Sequence, residues 1–206
     1  MLFFVLLLLP MTQLIAQIKT SYQSMPLAAR NFLLRALVLF VAWKLLYHTL
    51  LLPNRVPDQQ LTEVNAVLSA KCFQWLYPNN TIQLKAGMKY ELYAEGIPHI
   101  WIMKDVTQVV GVTDGCNGFE VFVLYVGFLL CVPTTPQRLL KYIVVGLTVT
   151  FFMNVLRVVA LGWLHLHYKE FFDIAHHYIF KLIVYAVVFW FWTRYAKTSA
   201  LRLPQL

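Results

Sequence analysis

Long apolar runs alternate with polar segments along this chain, and the length of the runs is the first guide to its structure. Three runs approach or exceed about 20 residues, the length that crosses a bilayer as a helix, and a fourth is shorter. Proline or basic residues bound most of them. We predict four transmembrane helices, over residues 27–52, 117–133, 139–165 and 176–195.

The polar stretch over residues 54–116 has patterns of its own. Asp58 can cap a helix, and Leu61, Val64 and Leu68 follow it at helical spacing, which predicts a helix over Asp58–Leu76. Residues 82–112 are strand-like and contain glycine and proline turn signals. We therefore expect residues 54–116 to form a small mixed α/β insertion outside the membrane.

These elements define the predicted fold class: an all-α polytopic membrane protein of about four transmembrane helices with a small mixed α/β extracytoplasmic loop region. Residues 1–206 are predicted to form a single membrane domain. The composition agrees, because 60% of the residues are hydrophobic and only 13% are charged. Residues 1–9 are apolar but too short to span a bilayer, and we assign them no function.

The net charge of +8 is also explained by a membrane. The basic residues are scattered and flank apolar runs, so we expect no nucleic-acid partner. Cytoplasmic loops of membrane proteins are rich in lysine and arginine. With four helices, the basic groups fall on one side, which predicts cytoplasmic termini and an outward-facing insertion in a bacterial inner membrane. These groups are Lys19, Arg30 and Arg35; Arg138 and Lys141; and Arg194, Lys197 and Arg202.

Cys116 is the candidate nucleophile. It lies in the sequence Asp-Gly-Cys-Asn-Gly over residues 114–118, where the polar insertion meets the second apolar run. Gly115 and Gly118 permit a sharp turn and leave room for a substrate backbone. Cys72 and Cys131 lie in apolar or helical patterns and are expected to pack, and the three cysteines show no metal-binding spacing.

Arg157 is the second candidate, because an arginine within a span is costly and usually functional. It lies 18 residues after Leu139, about 27 Å along a helix, and so near the outer side. Asn154 precedes it by three residues and shares its helix face. We expect Arg157 to stabilise a thiolate or an oxyanion, with Asn154 in support.

His176 and His177 open the last predicted span on the same side and could carry the proton from thiol to leaving amine. Adjacent helical residues point about 100° apart, so only one should face Cys116. Asp114 is a candidate to orient the imidazole.

These residues resemble the exosortase/archaeosortase membrane transpeptidases. The resemblance rests on residues 114–118, on Asn-Val-Leu-Arg-Val-Val over residues 154–159, and on His177 opening the last helix; it covers about residues 109–192. Many relatives have glycine four residues after the histidine, whereas Lys181 follows His177 and Phe180 follows His176 at that distance. The choice between the two histidines therefore stays open.

The resemblance implies a cysteine peptidase or transpeptidase with Cys116 as nucleophile, Arg157 as its positive partner and His177, or alternatively His176, as acid and base. Asn117, Asn154 and Asp114 would support them, and no cofactor is expected. The implied substrate is an exported protein with a C-terminal sorting signal: a short motif, a transmembrane helix and a basic tail. The acceptor would be an amine, a lipid or a glycan.

Other functions compete with this hypothesis. His48 with His176 or His177 could ligate haem, and Cys116 with a histidine could bind a metal. The protein could instead be a non-catalytic export or assembly factor that docks through its insertion, or a transporter or proton path that uses Arg157.

Overall fold

A computed structural model describes residues 23–89 and 97–200, together with residues 16, 19 and 20. The prediction for residues 1–9 lies outside this part of the chain. The first apolar run forms α1, Leu27–Leu46, which continues through a π-helical turn to Asn54. Arg55 then adopts a left-handed conformation, with φ of 51°, and ends the helix.

Five further helices follow along the described chain. A π-helical segment, Ala175–Ile179, joins the last two into one continuous helix. The five are α2 (Asp58–Leu76), α3 (Phe119–Cys131), α4 (Pro136–His167), α5 (Lys169–Ile174) and α6 (Phe180–Ala200).

Three of the described helical segments are long and apolar enough to span a membrane: Leu27–Asn54, Pro136–His167 and Lys169–Thr198. Helix α3 has 13 residues and is about 20 Å long, which is shorter than the hydrocarbon core of about 30 Å. A mostly helical polytopic fold with a small three-stranded sheet is therefore confirmed, whereas the count of four spans is not.

The insertion contains α2 and a three-stranded antiparallel sheet in the order β1-β2-β3. Its strands are β1 (Ile82–Lys89), β2 (Ile97–Lys104) and β3 (Thr107–Val112). Helix α2 has the predicted bounds, and the strands lie within residues 82–112 as predicted. We call α2 and this sheet the cap.

The cap packs on the second half of α4. Phe73 of α2, Ile102 of β2 and Val158 of α4 are buried in one apolar core. Gly162 permits the close approach, because a Cβ atom there would lie 2.4 Å from Cζ of Phe73. The cap therefore covers one face of the second half of α4 and is fixed to the helical bundle.

A second core holds the bundle together away from the cap. Tyr125 and Leu129 of α3 pack with Val188 and Tyr195 of α6, and all four are buried. The Tyr125 hydroxyl donates a hydrogen bond of 2.8 Å to the main-chain carbonyl of Tyr142 in α4. Helices α3, α4 and α6 are thus tied together at the end opposite the cap.

The last helix begins earlier than predicted. Its expected start at residue 176 lies inside the continuous helix, which begins at Lys169. The charged residues that indicated a loop, Lys169, Glu170 and Asp173, are exposed, whereas Phe172 packs against the cap core. They form the polar face of an amphipathic helical turn. Charged residues alone do not show whether a short segment is such a turn or a loop.

Candidate active site

Residues 113–118, which we call the Cys116 loop, form a tight turn between β3 and α3. The Cys116 N–H donates to the Thr113 carbonyl at 2.9 Å. The Asn117 side-chain oxygen accepts a hydrogen bond of 2.8 Å from the Phe119 N–H and so caps α3. Gly118 has φ of +86°, a conformation that glycine adopts without the steric cost of a side chain. The loop therefore presents Cys116 at the start of α3.

Helix α4 supports this loop through Asn154. The Asn154 Nδ2 donates a hydrogen bond of 2.8 Å to the main-chain carbonyl of Cys116, and Asn154 is buried. A Cβ atom at Gly118 would lie 3.3 Å from Cγ of Asn154. The absence of a side chain at residue 118 thus lets the loop lie directly against α4.

A buried polar pair supports the loop from the other side. Asn117, which is only 1% exposed, donates through Nδ2 to the Asp58 carboxylate at 2.8 Å and to the Asp58 carbonyl at 3.1 Å. The Tyr47 hydroxyl donates to the other carboxylate oxygen at 3.1 Å. These donors compensate the burial of Asp58, which would otherwise be costly.

Asp114 takes part in an ion pair with Arg55. The Arg55 Nε lies 2.8 Å from Oδ2 of Asp114, and a second guanidinium nitrogen lies 3.0 Å from Oδ1. Thr62 also donates to Oδ1 at 2.8 Å. The hydrogen bond to Asp114 raises the pKa of Arg55. Asp114 therefore orients the loop through Arg55 and Thr62, and its role in orienting an imidazole stays a prediction.

These partners were not recognised in the sequence. Tyr47, Arg55, Asp58 and Thr62 contribute to the site through contacts between residues 11 to 59 positions apart. Local spacing carries no signal for such contacts. Asp58 was expected to cap α2, but Pro57 holds the N-cap position and Asp58 is the first helical residue.

Arg157 continues the polar face of α4. Thr150, Asn154 and Arg157 are spaced four and three residues apart and so lie on one face of the helix. Arg157 is half-buried, and its Nε is buried with no hydrogen-bond partner in the described part of the chain. It lines a cavity of about 200 Å³ together with Gly115 and Gly118. The structure thus brings the Arg157 side chain to the Cys116 loop.

The two histidines differ in their surroundings. His176 is half-buried, with its ring centroid 5.8 Å from that of Phe172, and it interacts electrostatically with Arg157. His177 is exposed, and its ring centroid lies 4.8 Å from that of His176. His176 is thus the more buried of the two imidazoles.

The remaining cysteines have packing environments. Cys131 is buried, and Cys72 is half-buried against the cap core. All three cysteines are free thiols, and Cys116 is half-buried. Within residues 23–89 and 97–200, no group of three or more histidine, cysteine, aspartate or glutamate residues could hold a metal ion.

The comparisons with known proteins identify the family. The sequence model described as transmembrane exosortase matches residues 1–194. Because this match covers nearly the whole chain, the protein belongs to the transmembrane exosortase family. Members are generally cysteine transpeptidases, and the apolar helices together with the family make this chain a multi-pass membrane protein. No curated protein and no solved structure matched the chain.

Proposed function

We propose that this protein is a membrane cysteine transpeptidase that cleaves the C-terminal sorting signal of exported proteins by acyl transfer. The supporting observation is the cavity that Arg157 shares with the Cys116 loop. A buried guanidinium nitrogen without a partner among the described residues, in a cavity lined by the glycines on either side of the Cys116–Asn117 pair, favours chemistry in which negative charge develops.

The reaction begins at the thiol. The Cys116 thiol loses its proton to an imidazole, and the thiolate attacks the scissile carbonyl carbon to form a C–S bond. The tetrahedral intermediate then collapses, the C–N bond breaks, and the imidazolium returns the proton to the leaving amine. The product is a thioester on Cys116, which water or an acceptor nucleophile resolves.

Arg157 supplies positive charge at this centre. Its guanidinium favours the thiolate over the thiol and stabilises the oxyanion of the tetrahedral intermediate. Because Arg157 cannot lose its proton at neutral pH, it serves as an electrostatic group and not as the general base.

The choice of imidazole remains a proposal, with His177 and His176 as candidates. The partial burial of His176 favours it. A general base must come within hydrogen-bond reach of the proton that it removes, and His177 is exposed on the adjacent helix position. We therefore assign the proton transfer to His176.

The substrate is proposed to be an exported protein whose C-terminus carries a short motif, an apolar helix and a basic tail, and the acceptor to be an amine, a lipid or a glycan. The site is proposed to face the periplasm from the bacterial inner membrane, with both termini cytoplasmic. The distribution of basic residues supports this orientation.

A co-expression experiment tests the proposal. Exported proteins of the source organism that end in an apolar helix and a basic tail are expressed with the wild-type chain, with Cys116→Ala or with Cys72→Ala. We expect cleavage by the wild type and by Cys72→Ala, and none by Cys116→Ala at equal membrane abundance. Cleavage by Cys116→Ala would refute the mechanism. If the wild type supports the export of these proteins without cleaving them, the assembly-factor alternative would be favoured.

A further inference from the structure

The end of the bundle opposite the cap contains a cavity of about 540 Å³ between the start of α4 and the end of α6. Three cationic side chains line it: Arg138 and Lys141 from α4, and Arg194 from α6. Among the residues that the structure describes, no acidic side chain lines it. Its volume lies within the range of about 300–1,000 Å³ that is usual for ligand pockets. We call it the basic cavity.

The charge of the whole chain is concentrated at this end. All nine acidic residues lie between Asp58 and Asp173. The 17 lysines and arginines exceed them by eight, which gives the net charge of +8, and Arg138, Lys141, Arg194 and Lys197 lie near the helix ends at the basic cavity. No carboxylate in the sequence is close along the chain to Arg138, Lys141 or Arg194, which leaves them without local acidic partners.

Membrane topology alone explains an excess of cations at this end, but not their arrangement. Arg138 donates to the Tyr195 carbonyl at 2.9 Å and contacts the Thr198 hydroxyl, so its guanidinium is held in place. The Arg194 guanidinium lies 5.0 Å above the ring of Trp190. Cations from two helices thus line one cavity. Neighbouring residues hold at least two of these side chains in place.

The residues that line the basic cavity favour a lipid over a free anion as its ligand. Trp190 and Val145 line it and are 52% and 43% exposed, and in a spanning bundle such apolar surface faces hydrocarbon. Tyr142 also lines the cavity, and tryptophan and tyrosine are enriched at the level of lipid headgroups. A ligand with a phosphate and acyl chains fits both the cations and this apolar margin.

We propose that the basic cavity binds the phosphate headgroup of an anionic phospholipid through Arg138, Lys141 and Arg194. Basic pockets between transmembrane helices are known to bind anionic headgroups. The lipid would bridge α4 and α6 at the end of the bundle that the cap does not cover. Because this site is remote from the Cys116 loop, the inference is independent of the proposed catalytic function.

The full-length protein in a neutral detergent is titrated with dioctanoyl phosphatidylglycerol, dioctanoyl phosphatidylcholine or inorganic phosphate. Thermal unfolding and native mass spectrometry are the readouts. We expect phosphatidylglycerol to raise the unfolding temperature, since a ligand that binds the folded state stabilises it, and to remain bound in the mass spectrometer. Phosphatidylcholine and inorganic phosphate should do neither at the same concentrations.

Matched double variants test the assignment. Lys141→Gln with Arg194→Gln removes two cavity cations, whereas Arg35→Gln with Lys197→Gln removes two exposed cations that do not line the cavity. We expect a loss of phosphatidylglycerol affinity of about five-fold per cavity cation, and a change of less than about two-fold per cation in the control. Arg138 is left intact because it also bonds the Tyr195 carbonyl.

Three results would overturn the proposal: equal weakening by both double variants, equal affinity for phosphatidylcholine, or competition by inorganic phosphate as strong as that by phosphatidylglycerol. If the cavity double variant does not fold, the single Lys141→Gln variant at an exposed side chain is used instead, with Lys197→Gln as its control. An unchanged affinity in Lys141→Gln would equally contradict the site.

Discussion

The side-chain amide of Asn154 donates a hydrogen bond of 2.8 Å to the main-chain carbonyl of Cys116. This contact joins residues 38 positions apart and fixes the position of the candidate nucleophile relative to α4. Since Arg157 lies three residues further along the same helix, the bond also fixes the Cys116 loop relative to Arg157. The geometry of the site thus depends on a buried amide more than on any ion pair.

Replacing Asn154 with alanine should therefore reduce activity more than stability. The lost hydrogen bond and an unpaired Cys116 carbonyl should destabilise the fold by about 1–3 kcal/mol, whereas displacement of the nucleophile by 1 Å can reduce the rate by about 100-fold. Thr148→Ala on the same helix is the control, because that hydroxyl bonds the Val144 carbonyl of its own helix. Cleavage rate and thermal unfolding are measured together, and equal rates in the two variants would contradict this role.

Two glycines at or near α3 should respond in opposite directions to substitution by alanine. At Gly118, the left-handed backbone costs about 1–2 kcal/mol for any other L-residue, and the added Cβ crowds Asn154. Gly127 has open space around a Cβ atom, and alanine is favoured over glycine within a helix by about 1 kcal/mol. Thermal unfolding should show Gly118→Ala destabilised and Gly127→Ala unchanged or stabilised.

The same pair of variants also reports on the site. We expect Gly118→Ala to change the rate at which a water-soluble maleimide labels Cys116 in a Cys72→Ala background, and Gly127→Ala to leave that rate unchanged. Identical labelling in both would show that the conformation of residue 118 does not position the thiol.

The two histidines provide a test of the proton carrier. His176→Ala should lower the cleavage rate by about 10²–10⁴-fold, the usual contribution of general acid–base catalysis. His177→Ala should lower it by less than about ten-fold, because its exposed side chain only borders His176. The reverse order of effects would assign the role to His177 and show that the exposed imidazole reaches the substrate.

The turn between β2 and β3 gives the cap a pH dependence. The Asp105 carboxylate accepts hydrogen bonds from the Thr81 N–H at 2.9 Å and from the Asn80 amide at 2.7 Å, and these lower the pKa of Asp105. A lowered pKa in the folded state means stabilisation above about pH 4, the value for an unfolded aspartate, which is lost as the pH falls further.

Asp105→Asn keeps a residue that tolerates the left-handed conformation but cannot ionise. Amide hydrogen exchange in the cap, compared between pH 6 and pH 3, should therefore show a larger loss of protection in the wild type than in this variant. The same loss in both would assign the acid sensitivity to other groups.

Much of the architecture was predictable from patterns within single segments. The helix over Asp58–Leu76 was predicted from its apolar periodicity and its cap, and the strands from glycine and proline signals. The start of the last helix was wrong, because the exposed charges of Lys169 and Asp173 lie on an amphipathic turn. Apolar periodicity indicates which face of a segment is buried. It does not predict a helical turn whose exposed face is charged.

The candidate site was predictable only in part. Each candidate residue type is unusual in its sequence setting, and helix length predicts that all of them lie at one depth in the membrane. These residues are Cys116, Arg157 and the histidine pair. Their supports were not predictable, since Asp58 meets Asn117 and Arg55 meets Asp114 only after the cap folds onto the loop. Contacts between residues more than 50 positions apart leave no trace in local spacing.

The most direct test of the central claim is the capture of the acyl-enzyme on Cys116. The wild-type protein and the His176→Ala variant, in which both formation and resolution of the thioester should be slow, are purified from membranes with their co-expressed substrate after acid quenching, digested and analysed by mass spectrometry. The account predicts that the Cys116 peptide carries the cleaved substrate segment through a bond that neutral hydroxylamine breaks, while Cys72 and Cys131 stay unmodified. Substrate cleaved by the wild type with no adduct on Cys116 in either protein, or with the adduct on another residue, would contradict it.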